Sequence, residues 1–324
     1  MKEFKGRLAV ITGGGTGMGR ELARQLVAEG ASVAMCDVLT DNLAETKRIC
    51  ESEAPGPGVR VSTHVADVGD EQAMLRFAGE VAREHQTDRI HLLFNNAGIG
   101  GGASFINAPR EEWDRVFNIC WNGVYYGCRA FMPMLLNAEE GAVVNTSSAN
   151  GFWAALMPNV THTAYSAAKF AVKGFTEALI TDFRNNAPHL KAHIVMPGGV
   201  GTPIGLNSRR VLLGDNVPLS DAEKTQMRQR FAAMGMPGAL EMDEPALLEA
   251  QQAMIKRFET MAPTTAAKAA TIILDGVRAG RWRILVGEDV TRLDKRVRKN
   301  PEAAYEVDFA AYAPFAEGEE AALA

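Results

Sequence analysis

A chain of 324 residues with 47% hydrophobic content is long enough to bury a sizeable core and has the composition of an ordinary globular protein. A net charge of −5 without any basic tract argues against nucleic acid as a main partner, and no apolar run reaches membrane-spanning length. The four cysteines at 36, 50, 120 and 128 show neither a C-x-x-C pair nor metal-ligand spacing, and histidines and acids form no ligand cluster; reduced thiols, a cytoplasmic location and no metal are expected.

Met1 to Lys5 leads directly into a short apolar run, Arg7 to Ile11, that reads as a buried strand and leaves no room for a signal peptide. The run enters Thr12-Gly13-Gly14-Gly15-Thr16-Gly17-Met18-Gly19, and then Arg20 to Val27, which has helical periodicity. Strand, glycine-rich turn and helix form the context in which such glycines mark a dinucleotide site. The glycines permit the tight turn and let backbone N–H groups approach a pyrophosphate at the helix N-terminus. The next strand, Ser32 to Asp37, ends in a carboxylate about 20 residues past the glycines. An acid there accepts hydrogen bonds from the adenosine ribose hydroxyls and repels a 2′-phosphate. No Arg or Lys lies in the glycine turn or directly after Asp37, so NAD rather than NADP is the expected cofactor.

Further strands are expected at Val59 to Val65, Ile90 to Phe94, Ala142 to Thr146, Ala192 to Met196 and Arg283 to Val286, with helical patterns in most gaps and a loop at Ala54 to Gly58. This alternation implies one α/β domain, a doubly wound, mostly parallel sheet with helices on both faces. Its ligand belongs beyond the carboxyl ends of the strands at the switch point.

Tyr165-Ser166-Ala167-Ala168-Lys169 places a phenol and an ammonium one helical turn apart, with Ser147-Ser148 upstream. A free phenol, with a pKa of about 10, is a poor base at neutral pH. A neighbouring ammonium favours the phenolate, and a serine hydroxyl can hold a substrate oxygen while Tyr165 takes or returns its proton. That equipment suits alcohol oxidation or ketone reduction, given a nearby hydride acceptor or donor.

Together these segments resemble the classical short-chain dehydrogenase/reductase family, over about residues 4 to 203. The glycine pattern T-G-x-x-x-G-x-G has the classical spacing. Asp67-Val68 is similar to the family's adenine-contacting acid and its neighbour, and Asn95-Asn96-Ala97-Gly98 to its N-N-A-G element beneath the cofactor. Pro197-Gly198-Gly199-Val200-Gly201-Thr202 resembles the stretch that meets the nicotinamide carboxamide. The resemblance implies a Rossmann domain in which Ser148, Tyr165 and Lys169 are catalytic. It also implies that NAD is held by Gly13, Thr16, Gly17, Met18, Gly19, Asp37, Asp67, Val68, Asn95, Ala97, Gly98, Tyr165, Lys169, Pro197, Gly198, Val200 and Thr202. A homo-oligomer, dimer or tetramer, is expected.

Two departures from the family pattern stand out. Where the family carries Asn in Asn-x-x-Gly-Val, an asparagine that helps to hold a bend and a proton-relaying water, this chain has Cys120 ahead of Gly123-Val124. Asn118 and Asn122 cannot simply replace it, since two residues turn about 200° around a helix; Cys120 is expected to permit the same backbone-bound water. The sixteen residues between Ser148 and Tyr165 exceed the usual number and include Phe152, Trp153, Met157, Pro158 and His162, which suit the wall of an apolar or aromatic pocket.

Residues 203 to 262 read as an inserted helical lid. A capping box at Ser220-Asp221-Ala222-Glu223 opens one helix to about Met234, and Asp243 with Pro245 opens a second to about Met261. Methionines at 227, 234, 236, 242, 254 and 261 are expected to face the substrate. In the 288–324 extension, Arg292, Lys295, Arg296, Arg298 and Lys299 read as a solvated helix face before a frayed end. The combined expectation is an NAD-dependent oxidoreductase acting on a secondary alcohol or its ketone with an apolar body. The alternatives are a non-catalytic dinucleotide-binding regulator on the same fold and, less favoured by the glycine spacing, a dehydratase or epimerase.

Overall fold

The computed structural model describes residues 1–101, 104–106, 109–155, 161–214, 218–233 and 235–306. Among these described residues nine strands run in chain order: β1 (Leu8–Thr12), β2 (Ser32–Asp37), β3 (Val61–Val65), β4 (Leu92–Asn95), β5 (Gly141–Thr146), β6 (Leu190–Pro197), β7 (Val200–Gly201), β8 (Thr264–Thr265) and β9 (Arg283–Val286). Seven of them form one sheet in the order β3-β2-β1-β4-β5-β6-β9, with every neighbouring pair parallel. The apolar runs seen in the sequence follow from this placement, because a parallel strand is covered by helices on both faces. The strand ends lie within three residues of the expected ones.

The chain winds outward from β1 to β3 and then returns to β4 on the other side of β1. This reversal leaves an opening above the carboxyl ends of β1 and β4, where loops diverge to opposite faces. One face is packed by α1 (Gly17–Ala28), α2 (Thr40–Glu53) and α10 (Ala266–Arg278), around Leu22, Leu26, Ile273 and Val277. The other is packed by α3 (Glu71–His85), α4 (Arg110–Phe117), α5 (Gly123–Leu136) and α6 (Thr163–Asn186), around Phe77, Phe131 and Val172.

Among the described residues of 203–262 are the α-helices α7 (Ile204–Leu213), α8 (Asp221–Ala233) and α9 (Glu244–Met261). The capping box is present, with the Ser220 N–H donating to Glu223 Oε2 at 2.7 Å and the Glu223 N–H donating to Ser220 Oγ at 3.3 Å. The Asp243 carboxylate caps α9 by accepting from the Ala246 N–H. Helix α7 is absent from the sequence expectation. Both ends of the segment meet at its base, where β7 and β8 pair in parallel, Val200 opposite Thr264 and Gly201 opposite Thr265.

The methionines correct one expectation. Met227, Met236, Met242 and Met254 pack around Phe231, Ala239 and Leu247, so they join α8 to α9 instead of facing a cavity. Helix α8 is otherwise mostly polar, and its few apolar side chains are needed to dock it. Met261 is exposed, and Met234 lies outside the described residues.

Helix α11 (Glu288–Lys299) has two unlike faces. Val290, Leu293 and Val297 are buried on one, and Arg292, Lys295 and Lys299 lie toward the other. Asp294 ties the helix to β9, accepting from Arg283 as well as from Arg298 of its own helix. Those two guanidiniums offset burial and hold its carboxyl below the usual range.

No helix among the described residues is long and apolar enough to cross a membrane, and no group of acids, histidines and cysteines there is arranged to hold a metal. All four cysteines are free and buried. Burial pushes the Cys50 and Cys128 thiols up to about 12 and raises Cys36 further, so these three stay protonated at neutral pH. We expect native protein to give almost no fast reaction with a thiol-specific chromogenic disulfide at pH 8, and four equivalents after denaturation. A fast equivalent in the native state would show that a thiol is accessible.

Candidate active site

The glycine turn is built from backbone that other residues adopt with difficulty. Gly13 and Gly17 have φ of +66° and +54°, in the left-handed region. Gly19 has no room for a side chain, since a Cβ there would lie 2.0 Å from the Gly13 carbonyl oxygen. The turn is pinned from the neighbouring strand: Thr12 Oγ1 accepts from the N–H groups of Asn96 and Ala97, both at 3.0 Å. The Asn96 amide in turn donates to the carbonyls of Thr12 and Gly13. Helix α1 starts at Gly17 with no side chain capping it. Its first N–H groups and the positive end of its dipole therefore face the opening, an arrangement suited to a diphosphate.

The cleft above the turn is lined by Gly13, Thr16, Gly17 and Met18, by the acids Asp37 and Asp67, and by Val68, Ala97, Gly98 and Thr202. Asp37 is held at the end of β2, its two oxygens accepting from the Gly15 N–H at 2.9 Å and the Leu39 N–H at 3.1 Å. Asp67 accepts from the Gly69 N–H and pairs with Arg115 at 2.7 Å. Arg115 also borders the cleft, a role with no motif to reveal it. From above, α7 adds Ile204, Asn207 and Val211, and the Asn207 amide donates to Thr16 Oγ1 at 2.9 Å.

Two expected cofactor residues line neither this cleft nor the cavity that continues from it. Gly19 packs beneath the cleft, as its contact with Gly13 requires. Asn95 turns away into the layer between β4 and α5, where its amide donates to Asn145 Oδ1 at 2.8 Å. Successive residues at a strand end point to opposite sides, so Asn96 faces the opening in its place.

A second cavity continues from the cleft, sharing Met18, Asn96, Gly98, Thr202 and Ile204 with it. Ser148, Tyr165 and Lys169 all line this cavity, as do Pro197, Gly198 and Val200. Helix α6 presents Tyr165 and Lys169 one turn apart, with Nζ 5.4 Å from the tyrosine ring centroid. Lys169 is only 2% exposed, and its ammonium donates to the Thr146 carbonyl at 2.9 Å. The Ser147 hydroxyl donates to the Lys169 carbonyl at 2.8 Å, locking the end of β5 to α6. Ser148 Oγ accepts from the Asn150 N–H at 3.1 Å, which fixes its rotamer.

The region of Cys120 is a π-helical turn, Asn118–Asn122, between α4 and α5. Such turns insert a residue and shift the faces of a helix. Cys120 Sγ donates to the Ile99 carbonyl at 3.4 Å. Both Sγ and Lys169 Nζ border Gly98, at 3.7 and 3.5 Å from where a Cβ would stand. Neither nearby asparagine serves there: Asn118 donates to the Gly69 carbonyl and Asn122 to Asn118.

The loop before Tyr165 differs from its expectation. Trp153 is fully buried and donates to the Ala304 carbonyl at 2.6 Å, and Phe152 packs into the same cluster under α11. These aromatics anchor the loop to α11 and Ala304 instead of lining the cavity. His162 does line it, 6.5 Å from the Tyr165 ring between centroids, and Met157 and Pro158 lie outside the described residues. The apolar wall comes from elsewhere: Phe258 of α9, and Val290 and Leu293 of α11. The signal for the α11 pair is the apolar stripe Val290, Leu293 and Val297, spaced three and four residues apart opposite the basic residues of the same helix.

A family model described as short chain dehydrogenase matches residues 7–211. The chain belongs to the short-chain dehydrogenase/reductase family. SadH of Mycobacterium tuberculosis, provisionally designated an oxidoreductase, is 32% identical over 298 residues, 92% of each chain. Levodione reductase of Leifsonia aquatica is 34% identical over 222 residues, covering 68% of this chain and 79% of that one. A solved short-chain dehydrogenase/reductase of Burkholderia phymatum in complex with NAD superposes with a TM-score of 0.72 at 27% identity, covering 92% of this chain and 95% of its own. Solved relatives hold NAD or NADP, and membership makes this chain an oxidoreductase-family protein with a small-molecule substrate.

Proposed function

We propose that the protein is an NAD-dependent alcohol dehydrogenase or ketone reductase, acting on a secondary alcohol with a substantial apolar body. The observation that carries this reading is the continuity of the two spaces. A cleft with an uncapped helix terminus and a fixed Asp37 opens directly onto a cavity that gathers Ser148, Tyr165 and Lys169.

The residues fit a nicotinamide dinucleotide. The glycine turn leaves the space that side chains would fill, α1 would supply donors for the diphosphate, and Asp37 would meet the adenosine ribose. When bound, the cofactor supplies the hydride acceptor for oxidation or the donor for reduction. Ser148 Oγ holds the substrate oxygen, and Tyr165 Oη removes the hydroxyl proton as the carbonyl forms, or returns it in the reverse direction. Lys169 keeps one ammonium donor on Thr146, which aims the others at the ribose and the phenol side of the cavity. Its charge favours the phenolate form that the proton transfer needs.

NAD is favoured over NADP because the Asp37 carboxylate occupies the region a 2′-phosphate would enter. Phe258, Val290 and Leu293 support an apolar substrate body, in a cavity of about 280 Å³. We read 203–262 as a lid over the site, since α7 covers the cleft and α9 borders the cavity while both ends meet at β7 and β8. Exposed Tyr125 on α5 and Phe170 on α6 support association into a homo-oligomer, and buried free thiols fit the cytoplasm.

Three outcomes test this reading. Tyr165→Phe should lower kcat by about 10²- to 10⁴-fold while NAD affinity stays within about twofold, because only the proton carrier is lost; near-normal kcat refutes the assignment. Wild-type kcat/KM should be higher with NAD than with NADP, and Asp37→Ala should narrow the ratio by about tenfold, equal to about 1.4 kcal/mol. A wild-type preference for NADP contradicts the role given to Asp37. Across a panel of secondary alcohols, Phe258→Ala should raise KM by about tenfold for bulky apolar substrates and little for small ones, as loss of a ring contact with the substrate body requires. Equal effects on both would place Phe258 outside the substrate wall.

A further inference from the structure

The stretch Pro197 to Val200 lines the catalytic cavity, yet what fixes its shape lies ninety residues further along the chain. Asp289, in the first turn of α11, is 4% exposed. Its Oδ2 accepts from the Gly199 N–H at 2.7 Å, a short charge-assisted bond within a buried environment. The contact is shaped on both sides. A Cβ at Gly198 would stand 2.2 Å from Asp289 Oδ2, and one at Gly287 would stand 2.3 Å from Oδ1. The carboxylate therefore fits only because both neighbours are glycine, and Gly287 itself has φ of +117°. The turn is held further by the Gly198 N–H donating to the Val286 carbonyl and by the Thr264 N–H donating to the Gly199 carbonyl. Asp289 Oδ1 is buried and meets no donor among the described residues. Leaving a buried carboxylate oxygen unmatched costs stability, so a position kept in this state beside a cavity points to use there.

We propose that Asp289 is a positioning residue for the nicotinamide end of the cofactor. It clamps the Gly198-Gly199 turn from α11, so that the backbone of 197–202 is preset for the carboxamide before the cofactor arrives. The proposal rests on the dinucleotide reading above and deepens it: the C-terminal helix, which also supplies Val290 and Leu293 to the substrate wall, sets the geometry of hydride transfer as well. Preorganisation of this kind acts on the part of the ligand that touches the turn and on no other part.

That selectivity makes the test. Dissociation constants of full-length wild type, Asp289→Ala and Asp289→Asn are measured by calorimetry for NAD and for ADP-ribose, which lacks the nicotinamide. Asp289→Ala should weaken NAD by about tenfold and leave ADP-ribose within about twofold. Asp289→Asn, whose amide oxygen still accepts from Gly199, should recover most of the loss. Parallel loss of both ligands would mean a merely structural role and overturn the proposal, as would unchanged NAD binding in Asp289→Ala. If Asp289→Ala does not fold, Asp289→Ser, whose hydroxyl is one bond too short to reach the Gly199 N–H, carries the test in its place: weaker NAD at unchanged ADP-ribose supports the clamp, and parallel loss of both ligands or no loss overturns it. A wild-type protein that binds NADP in place of NAD would sink the cofactor choice alone; the same comparison then runs with NADP and 2′-phospho-ADP-ribose. Wild type binding ADP-ribose as tightly as the full dinucleotide would sink the clamp.

Discussion

The structure depends on the reversal of strand order at β1, and on the Thr12 hydroxyl that ties the two sides of that reversal together. A parallel sheet wound in one direction leaves no opening at its top, because each connection covers the end of its own strand. Where winding changes direction, the loops after β1 and β4 part, and backbone donors are left facing a gap. Thr12 Oγ1 accepts two N–H groups from the start of the β4 loop, and Asn96 returns two donations to β1. The glycine turn is therefore one wall of a closed hydrogen-bonded frame instead of a loose loop, which suits a site that must present fixed N–H groups to a diphosphate.

From that frame the chemistry follows by register. Thr146 at the end of β5 accepts from Lys169, and Ser147 reaches the carbonyl of the same lysine. The strand carrying the serines and the helix carrying the tyrosine are thus locked together at the lysine. A buried ammonium is costly unless its donors are placed; here one is satisfied by backbone, and the remainder lie toward the cavity. The π-helical turn at Cys120 brings a thiol to the same Gly98 that the ammonium borders, and its partner is the Ile99 carbonyl. This is one of the two departures from the family pattern, and neither neighbouring asparagine takes the place of Cys120.

The parts beyond the common core are integrated through a few specific joints. The β7–β8 pair brings the ends of 203–262 together, Asn207 connects α7 to Thr16 over the cleft, and Trp153 connects the loop before Tyr165 to the end of the described chain at Ala304. Helix α11 serves several of these relations at once, since its apolar face borders the cavity, Asp294 is tied to β9 and Asp289 reaches the turn after β6.

The sequence by itself determined the sheet, the glycine turn, Asp37 and the Tyr165–Lys169 pair, because each is written in local spacing: apolar runs for strands buried on both faces, glycines where φ must be positive, and a four-residue step along one helix. The capping box that starts α8 and the Asp243 and Pro245 that start α9 were legible for the same reason. What only the tertiary structure decided were relations between residues distant in the chain. Asn95 and Asn96 are adjacent and chemically identical, and only the pleat of β4 and the position of α5 show which one faces the opening. The methionines of 203–262 carry no mark of their partner, and they were claimed by Phe231 and Leu247 because polar α8 has little else with which to dock. Phe152 and Trp153 went to α11 instead of to the substrate for a similar reason: a large apolar surface is buried against whatever apolar surface the fold brings nearest, and here that was the buried face of α11. Asp289 was invisible for the plainest reason, since its partner is ninety residues away and a single acid in a helix's first turn looks, in sequence, like an ordinary response to the helix dipole.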